Sequence, residues 1–239
     1  MLRWAAYLLG TVAVLAILAV GGIYLYTSLT FGSTYDVEVG SLTVDRDSAT
    51  IARGRHVART RGCRDCHGSD FGGATVVDDP MMGTIAGSNL TPGEGGIGDA
   101  YQKEDWIRAI RHGVGPDGKP LIFMPSYEYT RLGRKDLAAL VAFLQQLDPV
   151  DRPKIPVEVG PMARALYAAG NLPPLVSAEM IDHDHSIPEA PPADSSVTYG
   201  EYVAVTCTGC HGADFTGGPS PGAPPSWPPA TNLTPRPED

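Results

Sequence analysis

Cys63-Arg64-Asp65-Cys66-His67 and, far along the chain, Cys207-Thr208-Gly209-Cys210-His211 decide how this sequence is read. All 4 cysteines fall inside these two pentapeptides. On a helical turn, positions i, i+3 and i+4 share one face. Each pentapeptide therefore presents two thiols and one imidazole in the same direction. Such a face suits a flat macrocycle, whose two vinyl groups the thiols can take up and whose metal the imidazole can bind from below.

A single Cys-x-x-Cys has other readings. It can be a thioredoxin-like redox pair or half of a zinc site. A redox pair has no need of the adjoining His, and no βαβ pattern surrounds either copy. A four-cysteine zinc site would have to join two distant pairs and leave both histidines as coincidences. With His directly after the second Cys, twice, the pattern is the attachment signal for a c-type haem. The expectation is two covalently held haem c groups, one on Cys63, Cys66 and His67 and one on Cys207, Cys210 and His211.

Working outward, the surroundings of the two pentapeptides repeat. Gly68-Ser69-Asp70-Phe71-Gly72-Gly73 is echoed by Gly212-Ala213-Asp214-Phe215-Thr216-Gly217-Gly218. Asn89-Leu90-Thr91-Pro92 is echoed by Asn232-Leu233-Thr234-Pro235, and Gly54-Arg55-His56-Val57-Ala58 by Gly200-Glu201-Tyr202-Val203-Ala204. The first unit runs on to Leu147, whereas the second reaches Asp239 soon after its Asn232, so the second unit reads as incomplete.

Between the anchor points the chain is punctuated clearly. Residues 4–29 carry no charge, with Arg3 before them and Asp36 the next charged residue. An apolar run of about 20 residues or more can span a bilayer, and this one is longer than the roughly 7–15 residues of a leader's apolar region. Trp4, Tyr7, Tyr24 and Tyr26 flank it as interfacial aromatics do. The run predicts an uncleaved single-pass anchor over 1–30, with the bulk of the chain exported. Export agrees with cysteines consumed in thioether bonds.

A polar extended tether is predicted over 31–47, and a helix starting at Asp47 or Ser48 follows. Gly54 is costly inside that helix and points to close approach by the domain's closing helix near Leu140 or Phe143. Residues 74–99 read as loop wrapped on the cofactor, with a turn at Asn89. Residues 102–112 return to helical spacing and stop at Gly113. Arg134–Leu147, with Leu137, Leu140, Val141, Phe143 and Leu144 on one stripe, is the plainest helix. Prolines recur over 149–197, which reads as a semi-rigid linker with one short helix near Met162–Ala169. His183 and His185 lie there without an evident third metal ligand.

Of 239 residues, 43% are hydrophobic, and the net charge is −9. Residues 41–147 hold 13 basic and 13 acidic side chains; residues 148–239 hold 4 and 12. That balance argues against nucleic-acid binding. Arg53, Arg55, Arg59, Arg61 and Arg64 gather around the first pentapeptide, either as solvated surface or as a basic docking rim.

These motifs resemble class I-type cytochrome c, completely over residues 50–147 and as a first half over 198–239. The whole chain is similar to membrane-anchored multi-haem cytochromes that serve periplasmic dehydrogenases of the alcohol-dehydrogenase type. The resemblance implies an all-α fold: an N-terminal transmembrane helix, a first haem domain over 48–148, the linker over 149–197 and a truncated second haem domain over 198–239. It further implies His67 and His211 as axial iron ligands and Met124, which precedes Pro125, as the distal ligand of the first haem. Met81, Met82 and His112 are the rivals for that position. No catalytic residue is implied. The implied role is single-electron transport on the periplasmic face of a bacterial cytoplasmic membrane, between a dehydrogenase or quinol donor and a quinol-oxidising complex or terminal oxidase. A haem enzyme such as a di-haem peroxidase is the alternative and would require an open iron position.

Overall fold

In the computed structural model, residues 2–172, 175–219 and 226–235 are described. Helix α1, Leu2–Phe31, has 30 residues and thus a length of about 45 Å, enough to cross the roughly 30 Å hydrocarbon core of a bilayer. Among the described residues it is the one helix long and apolar enough to do so. Most of its side chains are exposed; Ile23, Thr30 and Phe31 are half-buried and Thr27 is buried, all toward the end where the rest of the chain meets it.

The helix α2, Ser48–Thr60, begins where the sequence predicts. Asp47 is its N-cap and accepts from the amides of Ala49 and Thr50, satisfying donors that have no partner inside the helix. The pentapeptide helix α3, Cys63–His67, follows after Gly62, whose φ of 74° makes the tight reversal. Then α4, Lys103–His112, opens on a capping box between Gln102 and Asp105 and closes on Gly113 at φ 63°. After a single turn, α5 (Ser126–Tyr129), comes α6, Arg134–Leu144. It ends three residues earlier than the apolar stripe suggests, with Gln145 as C-cap.

The core lies between α2, α4 and α6. Leu137, Leu140, Val141, Trp106 and Ile107 are all at most 2% exposed. Helices α2 and α6 meet backbone to backbone at Gly54. A Cβ placed there would lie 1.9 Å from the Ala139 carbonyl oxygen and 2.7 Å from Phe143 Cβ, so Gly54 is the residue that lets these helices touch, near Phe143 as expected.

The all-α expectation needs correction. Residues 74–79 and 83–87, expected as loop, form strands β1 (Ala74–Asp79) and β2 (Gly83–Gly87), paired antiparallel with Asp79 opposite Gly83. Asp79 closes the turn by accepting from the amides of Met81 and Met82. A third strand, β3 (Glu158–Val159), joins β2 from the proline-rich segment. Its two residues carry no periodicity to read. Gly83, at φ 96°, is so close to Glu158 that a Cβ would fall 2.0 Å from the Glu158 oxygen.

The segments expected to be connectors are packed. Within 31–47, Val37 and Leu42 are buried, and Arg134 Nη1 donates to Ser41 O at 2.9 Å. Within 149–197, Val150 O accepts from buried Asn89 at 2.7 Å, and Arg152 donates to Gly73 O at 2.7 Å and pairs with Asp70. The short helix there, α7 (Pro161–Ala168), lies against α1. Arg164 donates to Thr27 Oγ1 at 2.7 Å and sits over the rings of Tyr24 and Phe31. Pro173 and Pro174 of the expected linker lie outside the described residues.

The second unit contains α8, Val197–Ala204, and α9, Thr208–His211. Its fine structure copies the first. Phe71 and Phe215 have φ of 60° and 61°, and Gly68 and Gly212 have φ of 80° and 77°. Leu90 N bonds Phe71 O at 2.8 Å as Leu233 N bonds Phe215 O at 2.9 Å. The residues from 236 onward, part of the expected second domain, are outside the described ones.

Candidate functional site

The first pentapeptide forms one wall of an apolar cavity. Cys63, Cys66 and His67 line it from α3, and Met124, in the loop before α5, lines it as well. Trp106 and Ile110 of α4 and Leu140 and Leu144 of α6 supply apolar surface. Helical spacing puts the two thiols and the imidazole on one face; tertiary structure adds a thioether to the same cavity.

Local contacts fix the pentapeptide. His67 Nδ1 lies 2.8 Å from Ser88 O, so Nδ1 carries the proton and the Nε2 lone pair is left free. Burial lowers the His67 pKa, only partly offset by that bond, so the ring stays neutral and able to bind a metal. Gly87 allows β2 to press on α3, since a Cβ there would be 2.2 Å from Cys66 O. Burial pushes the Cys63 thiol up to about 12 and raises Cys66 for the same reason, with the Asp65 carboxylate adding to it.

The rivals for the thioether's place are elsewhere. Met81 and Met82 sit in the β1–β2 turn. His112 is buried, and its Nδ1 lies 3.0 Å from His183 Nδ1. His185 pairs with Asp182 at 2.7 Å on the surface. Among the described residues no three His, Cys, Asp or Glu side chains converge on a point where they could hold a metal ion.

Some site residues had no sequence signal. Tyr129 lines the cavity and donates to Arg61 O at 3.1 Å; burial holds its hydroxyl well above the usual phenol pKa. Trp106 lines the cavity with its Nε1–H buried and unpartnered by protein. The arginine cluster is largely committed to packing. Arg53 pairs with Asp136 at 2.6 Å, Arg55 lies over Phe143, and Arg61 lies over Tyr202 and donates to its carbonyl.

At the second pentapeptide, His211 Nδ1 lies 2.7 Å from Thr231 O, repeating the His67–Ser88 contact. Cys207 and Cys210 are exposed, where Cys63 and Cys66 are half-buried. Among the described residues the second unit has no counterpart of α4 or α6 to cover them.

Residues 49–144 match the family described as cytochrome c oxidase, cbb3-type, subunit III. The chain is 30% identical to the cytochrome c subunit of quinone alcohol dehydrogenase from Gluconacetobacter polyoxogenes over 179 residues, 71% of this chain and 37% of that protein. It is 40% identical to the same subunit from Gluconobacter oxydans over 105 residues, 41% of this chain and 22% of that protein. It is 37% identical to the gluconate 2-dehydrogenase cytochrome c subunit from Pantoea cypripedii over 111 residues, 44% of this chain and 25% of that protein. The chain thus spans at most 37% of the length of these three relatives.

The cytochrome c family implies haem c, and the first cavity fits it. Its walls are apolar, its two cysteines and its imidazole lie on one wall with Nε2 free, and the orphaned Trp106 Nε1–H is a donor waiting for an acidic group of a ligand. A buried donor without an acceptor costs stability, which a bound carboxylate would relieve. The chain carries a cytochrome c domain over residues 49–144 and is similar to the cytochrome c subunits of quinone alcohol dehydrogenase and gluconate 2-dehydrogenase.

Proposed function

We propose that this chain is a membrane-anchored c-type cytochrome that carries single electrons between a dehydrogenase or quinol donor and a respiratory acceptor on the periplasmic side of a bacterial cytoplasmic membrane. The observation that carries this reading is the meeting of Cys63, Cys66, His67 and Met124 in one apolar cavity. Haem c bound there supplies a one-electron ferric/ferrous couple. Cys63 and Cys66 hold the group covalently, and His67 offers Nε2 with its tautomer fixed by Ser88. Met124 offers a thioether, a ligand that raises the iron potential and occupies the position that catalysis would need open. Tyr129, Leu140 and Leu144 keep water away. Cys207, Cys210 and His211 hold a second haem c. Helix α1 is the anchor, and α7 braces the domain against its end through Arg164.

The test is expression in a host that matures c-type cytochromes. Two haems per chain are expected to survive denaturing electrophoresis, one lost on replacing Cys63 and Cys66 by Ala and the other on replacing Cys207 and Cys210. The domain should fractionate with membranes, be low-spin, and be reduced by a dehydrogenase with its substrate or by quinol. Pigment that separates from the denatured chain, or high-spin iron that consumes peroxide, would overturn the proposal.

A further inference from the structure

The loop that carries Met124 is held from outside its own domain. Ile122 forms an isolated antiparallel bridge with Val176. Phe123 N–H donates to Leu175 O at 2.7 Å, and Ser177 Oγ–H donates to the carbonyl of Met124. All three partners come from residues 175–177, in the proline-rich segment that sequence alone reads as a linker. Val176 and Ser177 are 0% exposed and Leu175 is 5% exposed, so the strap's own side of these contacts is buried.

The far end of this strap is also tied. It continues as the 3-10 turn Ser177–Met180. His183 Nε2 then lies 3.2 Å from Ala178 O, and His183 Nδ1 lies 3.0 Å from His112 Nδ1, the last residue of α4. The loop itself is in an uncommon shape. Phe123 has φ 72°, a left-handed conformation that an aromatic residue keeps only when its surroundings fix it. The strap's bond to the Phe123 amide does so one residue before Met124.

We propose that residues 175–177 form a strap that holds the distal methionine in place, with Ser177 as a positioning residue for Met124. The proposal rests on the reading of Met124 as the haem's distal ligand. A methionine on a free loop gains conformational entropy each time it leaves; a loop pinned at residues 122, 123 and 124 gains little. Removing the Ser177 hydroxyl takes away the strap's hold on the half-buried Met124 carbonyl, which keeps only its bond from the Ser126 amide of its own loop. It should raise the methionine-dissociated population by up to about tenfold, as the loss of one hydrogen bond does at the upper end of its usual range.

The experiment uses the full chain with haem attached, in the ferric state. Imidazole is titrated in, and its displacement of methionine is followed as loss of the sulfur-to-iron charge-transfer absorption. Ser177→Ala is expected to bind imidazole up to about tenfold more tightly than the unaltered protein. Val141→Ala, in the core of α6, removes buried volume elsewhere and should lower thermal stability without raising imidazole affinity. If Ser177→Ala binds imidazole like the unaltered protein, or if both variants gain affinity in proportion to lost stability, the strap is refuted. Met124→Ala separates the two ideas. It must abolish the absorption, and if the absorption persists the ligand assignment itself is wrong. A check that needs no variant is hydrogen exchange at the Phe123 amide. It should be as slow as in α6, and exchange at the rate of an open loop would refute the strap.

Discussion

Replacing Gly54 by Ala sets two magnitudes against each other. Helix propensity alone favours Ala over Gly by about 1 kcal/mol. Against this, the added Cβ would sit 1.9 Å from the Ala139 oxygen, 2.6 Å from the Ala139 carbonyl carbon and 2.7 Å from Phe143 Cβ. Two of these are backbone atoms of α6 and cannot swing aside. To restore ordinary contact, α2 and α6 must part by about 1.5 Å, from 1.9 Å to 3.4 Å. A gap of about 1 Å already forfeits up to half of each dispersion contact, and the contacts at risk include Val57, Ala58, Leu140 and Phe143 of the core. The cost therefore belongs at or above the top of the ~1–3 kcal/mol range for overpacking. The net loss expected is about 2 kcal/mol or more. In urea unfolding of the haem-loaded protein followed by helical circular dichroism, the midpoint should fall by about 1 M at unchanged slope. A midpoint equal to or above that of the unaltered protein would show that α2 and α6 do not approach at Gly54, and the account of the core would fail.

The Arg152 side chain, with help from the Gly72 amide, holds the Asp70 carboxyl below its usual pKa. A carboxyl depressed in the folded state stabilises above its unfolded pKa of about 4 and loses that contribution as pH falls through the folded value. The drop in urea midpoint between pH 7 and pH 3 should therefore shrink in Asp70→Asn, and an unchanged drop would refute the tie between Arg152 and the first haem loop. Tyr202 fastens the second unit to the first, donating to Asp136 at 2.5 Å and accepting from the Gly133 amide at 3.1 Å. Tyr202→Phe should speed hydrogen exchange at Gly133 by about fivefold, since the one bond lost at that amide is worth about 1 kcal/mol; unchanged exchange would mean that the units do not dock there.

Much of this protein could be read before folding was considered. The two pentapeptides fix the local chemistry because covalent attachment needs two thiols and an imidazole within one helical turn. The caps at Asp47 and Gly113, the apolar stripe of α6 and the charge-free run of α1 are all short-range signals. Even the close approach at Gly54 was legible, because a glycine inside a helix needs a steric reason. The second unit could be recognised as a repeat, and matching φ values at Phe71 and Phe215 come from matching local sequence.

What remained hidden depends on residues distant in the chain. Strands β1 and β2 lie in a Gly-rich stretch without alternation, and β3 is two residues whose only reason to be a strand is the exposed edge of β2. Residues 149–197 look like a spacer because proline breaks periodicity, yet Asn89, Asp70 and Thr27 capture Val150, Arg152 and Arg164. The cluster of arginines was legible as charge, but only the position of Asp136, Phe143 and Tyr202 decides that three of them pack. Sequence could place Met124 before a proline; it took the fold to bring Met124 into the cavity with Cys63, Cys66 and His67, because a cavity wall is assembled from segments whose proximity no local pattern encodes.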